Sequence, residues 1–260
     1  MNYFTQKSID LANSSAYLDQ LYDVYYINDK FERTIDEQLW EKVEYYYQTK
    51  NCKELLNSLL KLPKFPIDDS YVSLFRVYPK SIDSNPQQVQ RICNELFKMD
   101  IDELHKCCIQ PKKSNRQMGE SFKKWISKGT LGFPIVTSEY DFMSNNDDVV
   151  FNGSDAQLKN FAKKYLGYNR NKGLDFIARI KGKYIIGEAK FISSNGGSQN
   201  AQFLDAMTTL NECCNKDVIK ISILDGIIYQ PNKGKKYKDI AENNIPVMSV
   251  LVLKEYLHSL

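Results

Sequence analysis

Gly173-Leu174-Asp175-Phe176-Ile177-Ala178-Arg179-Ile180-Lys181-Gly182-Lys183-Tyr184-Ile185-Ile186-Gly187-Glu188-Ala189-Lys190-Phe191 is the stretch around which the chain is organised. Two apolar runs flank Lys181-Gly182, which reads as a tight turn between strands. With a two-residue turn, Ile180 faces Lys183, and counting outward sets Asp175 opposite Glu188. Side chains alternate along a strand, so Glu188 and Lys190 point to one face. Asp175 shares that face as the cross-strand partner of Glu188. Two facing carboxylates repel and weaken a hairpin. A bound divalent cation removes that cost, and a neighbouring ammonium reduces it. The pattern therefore asks for a hard metal ion held by Asp175 and Glu188, with Lys190 beside it. The bland alternative is a solvated hairpin carrying surface charges.

The surrounding chain has 260 residues, a net charge of +3 and a hydrophobic fraction of 42%. That length fits one large domain or two small ones, and the apolar content suffices for a packed core. No apolar run is long enough to span a bilayer. The start, Met1-Asn2-Tyr3-Phe4-Thr5-Gln6-Lys7, lacks the apolar stretch of a signal peptide. A cytoplasmic location without a membrane partner is the expectation. The mild positive charge does not by itself indicate a nucleic-acid partner. The six cysteines form no CxxC pair, which argues for reduced thiols rather than a zinc site. His105 and His258 are the only histidines. Neither sits in a metal-finger nuclease pattern, and no nucleophile elbow or dinucleotide fingerprint appears.

Working outward, residues 1–62 read as helical from the spacing of Leu18, Leu21, Tyr22 and Tyr25, then Leu39, Trp40, Val43 and Tyr47, then Leu55, Leu56, Leu59 and Leu60. Tyr45-Tyr46-Tyr47 suits core packing or a dimer face ahead of base stacking. Residues 71–78 read as a short strand or extended link. Asn85-Pro86 opens a helix over 86–98, and Asp100 caps a second short one. The two can pass for a helix-turn-helix, with plain helix packing the simpler reading. A further helix carries Met118, Phe122, Trp125 and Ile126, amid basic residues able to track phosphates. Asp147-Asp148 suits a cation or a solvated turn. Asp155 to Leu166 is a helix ended by Gly167. The polar, glycine-rich 193–202 leads into a helix through Phe203 and Met207. Val218 to Leu224 is a strand turned by Asp225-Gly226. The basic loop 233–238, with Lys235 and Lys236, reads as a phosphate clamp or a solvated loop. Residues 246–253 read as a buried strand before a short terminal helix.

From 115 onward the order is helix, strands, hairpin, helix, strands, helix. That alternation predicts an α/β fold, with a mixed central sheet flanked by helices. The expected division is a helical N-terminal region over 1–109, for dimerisation or DNA recognition, and a core over 110–260.

Asp-x12-Glu-x-Lys across a hairpin resembles the signature of the PD-(D/E)xK nuclease superfamily. Leu174 stands where that signature often has proline. Glu188-Ala189-Lys190 is the only acidic-x-Lys in the sequence. The resemblance implies that Asp175 and Glu188 hold Mg²⁺ and that Lys190 helps activate the attacking water. The backbone carbonyl of Ala189 is a further candidate ligand. Two flanking strings narrow the resemblance. Asn115-Arg116-Gln117-x-Gly119-x-x-Phe122-Lys123-x-Trp125, and Glu188-Ala189-Lys190-Phe191 followed by Gly196-Gly197-x-Gln199, look like type II restriction endonucleases. In that family a helix glutamate often lies near the metals, which makes Glu120 a candidate ligand. Lys112, Lys113, Arg116, Gln199, Asn200, Gln202, Lys235 and Lys236 are the candidates for DNA contact. The resemblance implies Mg²⁺-dependent cleavage of double-stranded DNA at a specific sequence by a homodimer. It also implies a cognate DNA methyltransferase that protects the host. Two other readings keep the same core: a structure-specific repair or junction-resolving nuclease, and a non-catalytic DNA-binding module.

Overall fold

The computed structural model describes every residue except 15, 28–31, 112–113, 213, 216, 231–233 and 243, and of 114–116 only the helical backbone. Its contacts divide it into two units, Met1–Ile27 together with Lys113–Leu260, and Asn28–Lys112. In chain order the elements are α1 Tyr3–Ala12, α2 Tyr17–Val24, α3 Glu37–Gln48, α4 Cys52–Lys61, α5 Ser70–Val77, α6 Ser81–Ser84, α7 Pro86–Leu96, α8 Ile101–Ile109 and α9 Ser114–Ser127. There follow β1 Ile135–Val136, α10 Glu139–Met143, β2 Val149–Phe151, α11 Asp155–Tyr165, β3 Phe176–Ile180, β4 Lys183–Ile192 and α12 Gly197–Leu210. The chain closes with β5 Val218–Gly226, a 3-10 turn Ile227–Tyr229, α13 Lys235–Glu242, β6 Val247–Met248 and α14 Val250–Ser259.

The first unit is built on a mixed sheet of order β1-β2-β3-β4-β5-β6. The β2–β3 and β3–β4 pairs are antiparallel, and the other three are parallel. This is the α/β fold with helices on a mixed central sheet. The hairpin has the expected register, from Ile180 opposite Lys183 out to Phe176 opposite Gly187. Its turn has φ of 48° at Lys181 and 75° at Gly182. Two left-handed residues give the turn type whose twist matches that of the strands. Glycine takes this conformation at no steric cost, whereas lysine does not. The Lys181 N–H donates to Asp148 Oδ1 at 2.6 Å. Asp148, read as a cation ligand or turn residue, thus braces the hairpin turn.

Alternation sends β3 and β4 side chains into two cores. Phe176, Ala178, Ile180, Ile185 and Ala189 join one, and Ile177 and Ile186 join the other with Leu158, Phe161 and Ala162 of α11. Arg179 is buried on the second side. It donates to the carbonyls of Phe142 at 2.8 Å and Asp147 at 3.1 Å, and to Asn145 Oδ1 at 3.2 Å, so it organises the loop before β2.

The expected boundary at 109/110 differs from the contacts. Ile9, Tyr17, Leu21, Val24 and Tyr25 share a core with Ile185, Ile221 and Leu253. Thr5 Oγ1 donates to the Val247 carbonyl at 2.6 Å. Helical periodicity says which face of α1 and α2 is buried, but not that the cover lies some 240 residues away along the chain.

In the second unit, Val43, Leu55, Leu56, Leu59, Ile92, Leu96 and Leu104 form one helical core with Cys93 and Cys108. Each fully buried leucine contributes about 2 kcal/mol. Asp100 caps its helix as expected, accepting the Glu103 N–H, and Asp36 and Asn51 likewise accept the N–H of Leu39 and Glu54, whereas the Asn85 side chain makes no cap hydrogen bond to α7. Tyr46 and Tyr47 pack on this core, while Tyr45 is exposed. α7 and α8 both bury their apolar faces here, which is the plain-packing reading of that helix pair.

Three segments differ from expectation. Residues 71–78 are mostly helical, because the Asp69 side chain caps Tyr71 N and Val72 and Phe75 are buried at helical spacing. The apolar run 246–253 is strand only at Val247–Met248. Ser249 then accepts the Leu251 N–H and starts α14. A short apolar run suits either element, and the serine decides. Of the basic loop, Lys235 to Lys238 lie in α13, which buries Lys236 and Ile240 one turn apart. Lys233 lies outside the described residues.

Candidate active site

The hairpin sets the site. Glu188 and Lys190 are alternate residues of β4, and Asp175 immediately precedes β3 with its N–H donating to the Gly187 carbonyl at 3.2 Å. The three side chains converge. Lys190 Nζ lies 2.6 Å from Asp175 Oδ2 and 3.6 Å from Glu188 Oε1. Asp175 Oδ2 also accepts the Ala189 N–H at 2.9 Å, and the Ala189 carbonyl accepts from Lys190 Nζ at 3.1 Å. Gly187 lets the neighbouring strand come close: a Cβ there would lie 2.9 Å from Ile221 Cγ1.

The electrostatics split the two carboxylates. Burial is the largest influence on Asp175 and acts upward. The Lys190 ammonium, with hydrogen bonds from Lys190, the Glu188 carboxyl and the Ala189 N–H, outweighs it and holds the carboxyl below the usual range. Glu188 is 1% exposed. Burial and then the Asp175 charge push its carboxyl above the usual range. Burial acts downward on Lys190, but Asp175 and Glu188 together raise it. Glu188 Oε2 is buried and has no hydrogen-bond partner among the described residues. A buried acceptor without a donor is costly. Placed beside a second carboxylate, it is the feature a divalent cation would satisfy.

Several residues here were not singled out from the sequence. Lys172 Nζ lies 3.3 Å from Glu188 Oε1 and also touches the Asp205 carboxylate on α12. Arg170 Nη2 donates to Asp205 Oδ1 at 2.7 Å. Lys123, on α9, lies 3.5 Å from Asp155 Oδ1 and donates to the Gly153 carbonyl at 3.0 Å. Burial lowers its pKa against the pull of Asp175, Asp155 and Glu188. Lys123 belongs to the Phe-Lys-x-Trp string quoted above, which was its available signal. For Lys172 the signal was Arg170-x-Lys172-x-x-Asp175, basic residues leading into the acidic position.

The remaining candidates lie as follows. Glu120 is exposed on α9, and no group of three or more acidic, histidine or cysteine side chains gathers into a metal-sized cluster among the described residues. The third carboxylate that the resemblance implies is therefore not brought to Asp175 and Glu188. Lys112 and Lys113 lie outside the described residues, as does the side chain of Arg116. Gln199 is buried, and its Oε1 accepts the Ser193 N–H at 3.1 Å. Lys236 is buried too, reaching Asn195 Oδ1 at 3.3 Å. Both hold the loop between β4 and α12 instead of standing in solvent. Asn200 and Lys235 are exposed and Gln202 is partly exposed.

A mixed six-stranded sheet whose central hairpin gathers Asp175, Glu188 and Lys190 is consistent with a restriction-endonuclease-like core. The family model described as Tsp45I type II restriction enzyme matches residues 2–260, and the chain belongs to that family. It is therefore a site-specific endonuclease, a hydrolase that binds and cuts DNA. No curated protein and no solved structure matches it. No helix of the described residues is long and apolar enough to cross a membrane.

Proposed function

We propose that the enzyme hydrolyses double-stranded DNA with Mg²⁺ held by Asp175, Glu188 and the Ala189 carbonyl, and with Lys190 as the catalytic lysine. The observation that carries this reading is Glu188 Oε2, buried beside the Asp175 carboxylate and without a partner among the described residues, so that the two acids must share a proton or a cation. The donor set supports it as well: carboxylate and carbonyl oxygens suit Mg²⁺, which keeps several waters and needs few protein ligands. When bound, such an ion lowers the pKa of a ligated water and offsets charge on the phosphoryl oxygens.

The chain's own residues supply the rest. Lys190 has donors directed at Asp175 Oδ2 and the Ala189 carbonyl. The third N–H, with Glu188 Oε1 at 3.6 Å beyond hydrogen-bond range, is the one able to orient the attacking water. Its raised pKa keeps it an ammonium, so it also offsets charge on the scissile phosphate. The low dielectric around Glu188 strengthens each of these interactions.

Asn200, Gln202 and Lys235 are the described candidates that stand open for DNA contact. Arg116, Lys112 and Lys113 extend that set as basic residues able to neutralise phosphates. The helical unit Asn28–Lys112 serves dimerisation or DNA recognition in this reading. A homodimer fits a palindromic site, since two-fold symmetry in the protein matches that of the DNA. A methyltransferase of the same specificity would protect host DNA in the cytoplasm.

Digestion of phage DNA with Mg²⁺, followed by sequencing of the fragment ends, tests the reading. One short sequence at every end supports it. Structure-dependent nicks favour a repair nuclease instead, and the absence of cleavage with any divalent metal contradicts the metal-dependent mechanism.

A further inference from the structure

Two ammoniums converge on a single oxygen of Glu188. Lys172 Nζ lies 3.3 Å and Lys190 Nζ 3.6 Å from Oε1, whereas Oε2 has no partner among the described residues. A glutamate side chain has a soft terminal torsion. Partners on one oxygen fix the plane of the carboxylate and thereby present the other.

Lys190 is already engaged by Asp175 at 2.6 Å, so it is shared between two carboxylates. Lys172 is the nearer cation to Oε1, and its flexible stem needs an anchor. That anchor is in place. Its ammonium touches the Asp205 carboxylate. Asp205 is held in turn by Arg170, which donates to Asp205 Oδ1 at 2.7 Å, to the Asp205 carbonyl at 3.2 Å and to Thr209 Oγ1 at 2.8 Å. Arg170 Nε also lies 3.4 Å from Glu212 Oε1. Charges of alternating sign thus run from α12 through the 170–172 loop to Glu188.

We propose that Lys172, anchored by Asp205 and Arg170, is a positioning residue that holds Glu188 by Oε1 so that Oε2 faces the cation. This deepens the proposed function and rests on Glu188 being a metal ligand. Groups that orient metal ligands typically change metal affinity by tenfold or more when removed.

The test is direct binding of Mn²⁺ to the full-length protein, read from the electron paramagnetic resonance signal of the free ion. The variants are Lys172→Met, Asp205→Asn, Lys172→Arg and Glu188→Gln, each checked for folding by circular dichroism. A positioning tether predicts that Lys172→Met and Asp205→Asn both weaken Mn²⁺ binding by about tenfold or more, and that Lys172→Arg recovers most of it. Charge alone would act differently: losing an ammonium tightens cation binding and losing a carboxylate weakens it. Opposite shifts, or no shift, overturn the proposal. If Lys172→Met does not fold, Arg170→Lys perturbs the far end of the tether while keeping every charge. Weaker Mn²⁺ binding then supports the proposal, and unchanged binding overturns it. Glu188→Gln separates the two layers. If it binds Mn²⁺ as the wild type does, the ligand assignment itself fails. If it loses Mn²⁺ while the tether variants keep it, only the positioning role fails.

Discussion

Lys190 Nζ lies 2.6 Å from Asp175 Oδ2, so the lysine of one strand is fixed to the carboxylate that precedes its partner strand. The same ammonium lies beside two acids, Asp175 half-buried and Glu188 buried. Lys190→Met should therefore slow single-turnover cleavage about a hundredfold or more while leaving affinity in a gel shift nearly unchanged. It should also lower the melting temperature in chelator, because Asp175 then loses the ammonium beside it and Lys172 alone is left against Glu188. Mg²⁺ should recover part of that loss. A parallel collapse of DNA affinity would make Lys190 a DNA anchor instead.

On the proposed function, metal binding and folding are linked at this site. A ligand that binds only the folded chain stabilises it by RT ln(1 + [L]/Kd), about 2.7 kcal/mol at a hundred times Kd. Mg²⁺ should raise the melting temperature of the wild type and leave that of Asp175→Asn unmoved. Calorimetry with and without chelator checks both. Equal stabilisation of the two proteins would place the ion elsewhere.

The register that pairs the carboxylates depends on the Lys181-Gly182 turn, with both residues at positive φ. Gly182→Ala should destabilise the protein by about 1 kcal/mol, since a Cβ is strained there. Lys181→Asn creates the favoured Asn-Gly turn and should be neutral or stabilising by up to about 1 kcal/mol. Urea unfolding measures both. A stabilised Gly182→Ala would mean that the turn has a different conformation.

Asp225, on β5 opposite Phe191, gives a pH signature of its own. It is fully buried, and burial pushes its carboxyl up to about 6 against hydrogen bonds from Ser249, Tyr25 and the Val250 N–H. The unfolded value is about 3.9. Between these values the folded state binds the extra proton, so stability falls as pH rises from about 4 to about 6. A shift of this size corresponds to about 3 kcal/mol. Asp225→Asn should remove this contribution. The difference in stability between variant and wild type, measured across that window, should move in the variant's favour as pH rises. A constant difference would show that Asp225 does not titrate there.

The hairpin was legible in the sequence because its pattern is local. Alternation and a two-residue turn fix which side chains face each other, and the register from Ile180 to Phe176 follows the count. The α/β order was legible for the same reason. The tether was not, because Asp205 reaches Lys172 and Arg170 through tertiary packing, and nothing in the sequence near α12 marks Asp205 as different from a solvated acid. Gln199 and Lys236 were polar residues at plausible places for DNA contact, yet both are buried holding a loop. Polarity reveals hydrogen-bonding capacity but not the partner. The cover supplied by α1 and α2 was hidden likewise, since an amphipathic helix does not encode which surface it meets.

The central claim is that Asp175, Glu188 and Lys190 cut DNA as one unit around a divalent ion. Single-turnover cleavage of DNA carrying the recognition sequence, with Mg²⁺, by wild type and Glu188→Gln at matched DNA occupancy tests it most directly. The account predicts that the variant stays bound and leaves the strands intact, while the wild type cuts. A Glu188→Gln enzyme that cuts the same bonds at the wild-type rate would contradict it.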